Sequence, residues 1–412
     1  MNAAGIDVSK GKSMVAVYRP FNEMVAKPFE VRHTGSELKK LADYLKSLGG
    51  ETRVVMEHTG RYYEQIAQYL HDEGIYVSAV NPKIIKEYGT GNTLRHVKTD
   101  KADAKKIAKF GIDRWTELRE YTPMDTIRYQ LKTLNRQCGL YTKTKTAMKN
   151  NLIALLDQTY PGVNALFDSP VREDGHQKWV DFAASFWHVD CVRSMSQTAF
   201  TERYRKWCKR HGYNFRSSKA AEVYEKAGDQ IAMLPKDALT KLLIRQAIDT
   251  LNAVSAALER LKTEMLNLAS QLPEYPVVMA MHGVGNSLGP QLIAEIGDVT
   301  RFIHRGSITA FAGVDPGADQ SGTHDAKSVH TSKSGPPELR RALFLVMDCL
   351  IQTKPQDDPV YLFMDKKRAE GKPYLVYMTA GANKFLRIYY GRVKEYLAKL
   401  QAPSDTNPDS ST

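Results

Sequence analysis

The chain has 412 residues, with 58 Lys or Arg against 46 Asp or Glu and a net charge of +12. That length allows two or three domains with real cores, and a hydrophobic content of 42% excludes a disordered or collagen-like chain. Its four cysteines (Cys138, Cys191, Cys208, Cys349) are scattered, with no CxxC pair and no His at zinc-ligand spacing, which excludes a disulfide scaffold and argues against structural zinc. Apolar runs such as Ala342 to Met347 fall far short of a bilayer span, so no membrane partner is expected. Met1 to Asp7 lacks a basic region followed by an apolar stretch, and the expected location is a bacterial cytoplasm. The positive balance suits a polyanion partner, since Lys and Arg release counterions from phosphates, although many basic proteins bind no nucleic acid.

Residues 3 to 111 alternate between strand and helix patterns. Ala3 to Val8 and Ser13 to Tyr18 are apolar runs around a polar turn, and Lys27 to Val31 alternates after a Pro-containing turn, predicting three antiparallel strands. Leu38, Leu41, Leu45 and Leu48 then recur at helical spacing. Thr52 to Met56 reads as a β-branched strand, Tyr62 to Leu70 as a helix, and Tyr76 to Val80 as a last strand ended by Asn81-Pro82. Three strands followed by helix, strand, helix and strand is the order of a ribonuclease-H-like fold. The predicted class is α/β plus α: a ribonuclease-H-like (RuvC-like) mixed sheet with helices, then long central helices with a coiled coil, then a mainly helical domain.

From Thr126 to Leu156 one long helix is predicted, with Leu131, Leu134, Cys138, Tyr141, Met148, Leu152 and Leu155 on one side. It carries Lys132, Arg136, Lys143, Lys145 and Lys149 and no acidic residue between Tyr129 and Leu156, which reads either as a solvated face or as a helix that tracks phosphates. Ala247, Leu251, Val254, Leu258, Leu261, Met265 and Leu268 form a heptad seam, suited equally to an intramolecular antiparallel hairpin and to a subunit contact. Residues 157 to 238 show no clear periodicity but interleave Arg203, Tyr204, Arg205, Lys206, Trp207, Lys209, Arg210, Tyr213, Phe215 and Arg216. That mixture suits base stacking with phosphate contact; the competing reading is an amphipathic helix with Tyr204 and Trp207 in a core. The block from Pro276 to about Leu400 is helical with Gly-rich joints, and the polar tail from Pro403 is expected to be disordered.

Four carboxylates in the first block stand out. Asp7 interrupts an apolar strand, Glu57 ends the next β-rich run, and Asp100 and Asp103 lie three apart, facing one way on a helix. A carboxylate among strand apolars is costly unless paired or metal-bound. Individually each has a plainer use, Asp100 as a cap and Asp7 as a turn residue. Converging on such a topology, the four suit a hard cation such as Mg²⁺ that takes oxygen ligands and keeps positions open for phosphate. Gly5-Ile6-Asp7-Val8-Ser9-Lys10, Glu57-His58-Thr59-Gly60, Asn81-Pro82 and Lys98-Thr99-Asp100-Lys101-Ala102-Asp103-Ala104 together resemble the RuvC-like DEDD domain of a bacterial insertion-sequence transposase family, the IS-one-ten family. That resemblance implies divalent-metal coordination by Asp7, Glu57, Asp100 and Asp103.

The C-terminal block opens with His282-Gly283-Val284-Gly285. Its next glycine, Gly289, comes one place too late for a dinucleotide fingerprint. Gly283 and Gly285 instead suit a turn between helices that offers backbone N–H groups to a DNA phosphate, or a plain connector. Then follow Phe311-Ala312-Gly313-Val314-Asp315-Pro316, Gln320-Ser321-Gly322-Thr323-His324, Lys327, His330, Lys333, Ser334-Gly335 and Leu339-Arg340-Arg341-Ala342-Leu343. On chemistry alone Ser321, Ser328, Ser332 and Ser334 are equally eligible as a nucleophile, with Lys327, Lys333, Arg340 and Arg341 placed to offset phosphate charge or simply solvated. The order of these motifs is similar to the C-terminal transposase domain of the same family, whose nucleophilic serine precedes glycine at the place of Ser321. His282 and the approach Gly335-Pro336-Pro337-Glu338 depart from the family pattern.

The resemblance implies a transposase or recombinase in which Ser321 attacks a DNA phosphodiester with Mg²⁺ held by the four acids. It also implies donor and target DNA as partners, a structured bridge RNA that pairs with both, and a tetramer in which two subunits complete one cleavage site. The expected divisions are a DEDD nuclease domain over 1–125, a helical linker with the basic aromatic insert and coiled coil over 126–272, a serine transposase domain over 273–400 and a tail over 401–412. The alternatives are a RuvC-like junction-resolving endonuclease, which leaves no protein-linked DNA, and a non-catalytic nucleic-acid-binding scaffold.

Overall fold

The computed structural model describes residues 1–58, 60–90, 99–317, 320, 321, 324, 325 and 331–401. The chain divides into two compact units, one ending at Pro123 and the other starting at Met124.

The first unit is built on a five-stranded sheet. Strands β1 (Asn2–Val8), β2 (Lys12–Arg19) and β3 (Glu23–Arg32) form an antiparallel meander, and helix α1 (Gly35–Ser47), strand β4 (Thr52–Glu57), helix α2 (Tyr62–Asp72) and strand β5 (Tyr76–Val80) follow. The spatial order is β3-β2-β1-β4-β5, with β4 parallel to both β1 and β5, as the predicted fold requires. Strand β3 begins four residues earlier than the pattern predicts. Pro20, Phe21 and Asn22 make the whole turn, with Phe21 and Asn22 in left-handed backbone, so the ladder resumes at Glu23. Helix α3 (Pro82–Thr90) was not legible as a helix: Pro82 opens its first turn, where a missing N–H costs nothing, rather than closing a loop. Helix α4 (Asp100–Asp113) completes the unit.

Period-two alternation sorts the sheet residues onto two faces. Ala4, Ile6, Val15, Val17, Val54, Met56 and Val77 pack against Leu38, Leu41 and Leu45 of α1 and Ile66 and Leu70 of α2. Ala16 and Tyr18 meet Ala104 and Ala108 of α4 on the other face, where Val55 meets Ile85 of α3 and Ile107 and Phe110 of α4. Burying each such Leu or Ile contributes about 1.5–3 kcal/mol.

In the second unit, helix α5 (Thr126–Leu156) has the predicted bounds. Helices α6 (Lys178–Ser185), α7 (Asp190–Arg193), α8 (Gln197–His211) and α9 (Ser217–Gly228) precede α10 (Ala238–Ala269). Leu131 and Cys138 of α5 share a core with Leu258 and Met265 of α10, whereas Leu152 and Leu156 share another with Ile244, Ala247 and Leu251. The two helices therefore run antiparallel, and the heptad seam is used inside the chain. Helices α11 (Tyr275–Met279), α12 (Leu288–Ile296), α13 (Arg305–Ala312), α14 (Pro337–Thr353), α15 (Pro359–Ala369) and α16 (Tyr374–Gln401) pack on the first of those cores, and a two-residue hairpin of β6 (Gln320–Ser321) and β7 (His324–Asp325) lies between α13 and α14.

The insert between α5 and α10 corrects one expectation. Tyr204 is 0% and Trp207 5% exposed, their rings stacked 5.6 Å apart and joined by Phe167, Phe182, Phe186 and Phe200 in the second core. No base can stack on them, because α8 spends these rings on packing and leaves Arg203, Arg205, Lys206, Lys209 and Arg210 exposed beside Glu202. Periodicity was hard to read here because α6 and α7 are short and the core is rich in aromatics rather than in a leucine repeat.

Candidate active site

The two strand acids reach one place through register. β1 pairs with β4 so that Gly5 lies beside Val55 and Ile6 beside Met56. Asp7 and Glu57 come next in line, and by alternation both stand on the α4 face with Gly5 and Val55. Helix α4 brings the other two. Thr99 caps it, its hydroxyl oxygen accepting the Ala102 N–H at 3.2 Å, so Asp100 and Asp103 fall in the first turn. The helix can lie this close to β1 because residue 5 is glycine: a Cβ there would stand 2.2 Å from the Ala108 nitrogen and 2.3 Å from the Ala104 carbonyl oxygen. Ala104 follows Asp103 directly, so the contact that seats the helix also seats its acid.

Electrostatics agree with that convergence. Burial first, then Asp103, Asp100 and Glu57 in that order, push the Asp7 carboxyl up to about 6 against the opposing pull of Lys106. Lys106 donates to Asp103 Oδ1 at 2.7 Å. Asp7 therefore feels the charge of the other three predicted acids. Among the described residues no three His, Cys, Asp or Glu side chains stand at ready-made metal-binding spacing. The donor set still fits a hard cation: it is all oxygen, crowded with like charge, and half-buried at Asp7, Glu57 and Asp103. Of its surroundings, His58 tilts against Tyr63 at 6.2 Å, and Thr59 lies outside the described residues.

Ser321 sits in β6, paired in register with His324 of β7. Gly322, Lys327, Ser328 and His330 lie outside the described residues, as does the tail from residue 402. The other two eligible serines are engaged with each other: the Ser334 N–H donates to Ser332 Oγ and the Ser334 hydroxyl to the Ser332 carbonyl, both at 3.3 Å. The legs of the loop are joined where Pro316 bridges Thr331.

Two family descriptions match the chain, each on one half of this chemistry. The DEDD transposase description of the IS110 group covers residues 4–161, and "Transposase IS116/IS110/IS902 family" covers residues 275–362. The chain belongs to the IS110 family of transposases. The pilin gene-inverting proteins of Moraxella bovis and Moraxella lacunata are each 24% identical to this transposase over 342 residues, which is 83% of its chain and 80% of theirs. Among solved structures, Thermus thermophilus RuvC is 16% identical and matches 29% of this chain and 100% of its own with a TM-score of 0.23; the same enzyme in complex with a Holliday junction substrate matches at 0.22 over 29% and 99%.

The predicted phosphate-binding residues of the transposase fall into different settings. Lys143, Arg205, Lys206, Arg210, Lys333 and Arg341 are exposed. Lys145 is drawn into the α5–α10 hairpin, 4.0 Å from Glu259, and burial lowers its pKa. The Lys149 ammonium lies 6.0 Å from the Trp179 ring centre. Arg136, on the same basic helix, is committed to Glu295 at 2.9 Å and to Glu338. Gly283, in left-handed backbone, rests against Val346 and Leu350 of α14, whereas the space over Gly285 is open. Arg340 is half-buried and bonded to backbone carbonyls. Two contributors escaped sequence reasoning. Lys106 shows only as one more lysine of an α4 basic run, and Gly5 has meaning only once the helix that crosses it is known; its signal was a glycine inside a strand.

Proposed function

We propose that this transposase recombines DNA by a metal-dependent serine mechanism. In the first step the Ser321 oxygen bonds to the phosphorus of a backbone phosphodiester as the bond to a deoxyribose oxygen breaks. The proton lost by the hydroxyl is balanced by the one gained on the leaving oxygen, which departs as a free hydroxyl end. The phosphoserine ester keeps the energy of the broken linkage, so attack by a hydroxyl end of another strand reseals DNA without ATP. Asp7, Glu57, Asp100 and Asp103 would hold Mg²⁺, which when bound offsets negative charge on phosphorus and leaving oxygen. Lys106 restrains Asp103 and limits the repulsion on that face.

The observation that carries this reading is the crowding of Asp7 by Asp103, Asp100 and Glu57 on one sheet face. The gene-inverting relatives support it further, since inversion requires cutting and rejoining at two sites. A structured bridge RNA that pairs with donor and target, and a tetramer in which the acids of one subunit serve the serine of another, complete the proposal and rest on the family. The test combines full-length protein, Mg²⁺, supercoiled plasmid carrying the gene with its flanks, and RNA transcribed from those flanks. A denaturant-resistant protein–DNA adduct is expected, and it is expected to vanish in Ser321→Ala. An adduct that persists in Ser321→Ala overturns the serine assignment, and free cut ends without any adduct favour a junction-resolving nuclease instead.

A further inference from the structure

The loop that carries Ser321 leaves α13 and returns to α14, and its legs meet at a neck made of described residues. The Lys333 N–H donates to the Gly313 carbonyl at 3.2 Å, and Pro316 bridges Thr331. Gly335 is pressed so close to the other leg that a Cβ would stand 1.8 Å from the Phe311 carbonyl oxygen, so the legs touch backbone to backbone. Across this contact lies the half-buried Arg340 guanidinium. Its Nη1 donates to the Gly335 carbonyl of the returning leg at 2.6 Å and to the Ala312 carbonyl at the end of α13, where the outgoing leg starts, at 3.3 Å. From α16, Asn383 donates to Asp315 Oδ1 at 3.2 Å and ties down the outgoing leg.

We propose that Arg340 is a positioning residue that clasps the neck of the serine loop, not a ligand of nucleic-acid phosphate. The importance of that clasp for reaction rests on Ser321 being the nucleophile. A guanidinium whose Nη1 bridges two carbonyls has one group directed into protein, and such charge-assisted bonds are stronger than neutral ones. Both bonds leave the one Nη1, whose two hydrogens are held in the guanidinium plane, whereas the three donors of a lysine ammonium rotate freely on a flexible stem. Exposed Arg341, next in sequence, serves as the comparison.

The test uses the full-length protein and the plasmid, Mg²⁺ and RNA mixture above, with three readouts: adduct rate, salt dependence of duplex binding, and hydrogen exchange at the Lys333 amide. Arg340→Gln and the charge-preserving Arg340→Lys are expected to slow adduct formation about a hundredfold, as small misplacements of reacting groups do. Both are expected to speed Lys333 exchange about tenfold through local opening and to leave the salt slope unchanged. A disulfide between Pro316→Cys and Thr331→Cys, at a bridge spacing compatible with such a bond, is expected to restore rate and protection to Arg340→Gln on oxidation. Three results each overturn the clasp: a salt slope smaller by about one in Arg340→Gln, as loss of one phosphate contact gives; full activity in Arg340→Lys; or an oxidised neck that leaves the rate low. Ser321→Ala separates the two ideas. It is expected to keep Lys333 protected while losing the adduct, so a surviving adduct condemns the serine and leaves exchange and salt slope to decide the neck.

Discussion

A carboxyl pushed up to about 6 by burial and three neighbouring acids holds its proton in the native state at pH values where the unfolded chain, near the ordinary 3.8, has lost it. The native state thus binds more protons between those two values, and the Asp7 contribution to stability falls as pH rises through that window and is absent above it. In EDTA, Asp7→Asn is therefore expected to raise the melting temperature at pH 7.5 and to leave it nearly unchanged at pH 4; equal gains at both would contradict the crowding. Added Mg²⁺ should raise the wild-type melting temperature at pH 7.5 and narrow that gap. Gly5 governs the same face sterically. Gly5→Ala sets a methyl against the backbone of α4, which cannot swing aside as a side-chain tip can, so a loss of about 1–3 kcal/mol is expected with the helix forced outward. A melting temperature equal to wild type would show that the helix is not seated there.

Among the elements, the strands were legible because each mixes β-branched residues with alternation and ends in a turn signal. Asp7 stood out as a charge inside such a strand and Glu57 at the end of one, whereas Asp100 and Asp103 showed only as a pair three apart at a helix start. Helix α3 was hidden by a proline that opens it and α6 and α7 by their shortness, while α8 was visible only as the competing reading of an amphipathic helix with Tyr204 and Trp207 in a core. The seam of α10 showed that it had a partner, but only the packing of Leu258 and Met265 with Leu131 and Cys138 identifies α5 as that partner. The basic row of α5 divides in the same way. Arg136 neutralises Glu295, a buried carboxyl that also accepts from Asn135 at 2.7 Å and whose pKa burial pushes up. Arg136→Met strands that carboxylate and is expected to cost about 3 kcal/mol, with much of the loss recovered by adding Glu295→Leu. Denaturation of both variants checks this, and an additive double variant would contradict the pairing. On α8, Trp207→Ala is expected to destabilise the insert by about 3–5 kcal/mol through lost packing. A stably folded variant with selectively weakened DNA binding would revive the stacking reading.

At the scale of the molecule, the acids and the serine belong to separate compact units and fall within different family descriptions. Motif order along the chain was readable without a structure because each motif is local. The loop neck was not, since Arg340 looks like any helix-face cation until the carbonyls of Ala312 and Gly335 are seen to face it. What joins these parts into one enzyme is the claim that the acid face holds divalent cations, and titrating the full-length chain with Mn²⁺ while following the EPR signal of the free ion tests it most directly. The wild-type chain is expected to deplete that signal, and the chain carrying Asp7→Asn with Asp103→Asn is expected to leave it at the level of buffer. Equal depletion by both proteins would contradict the metal site.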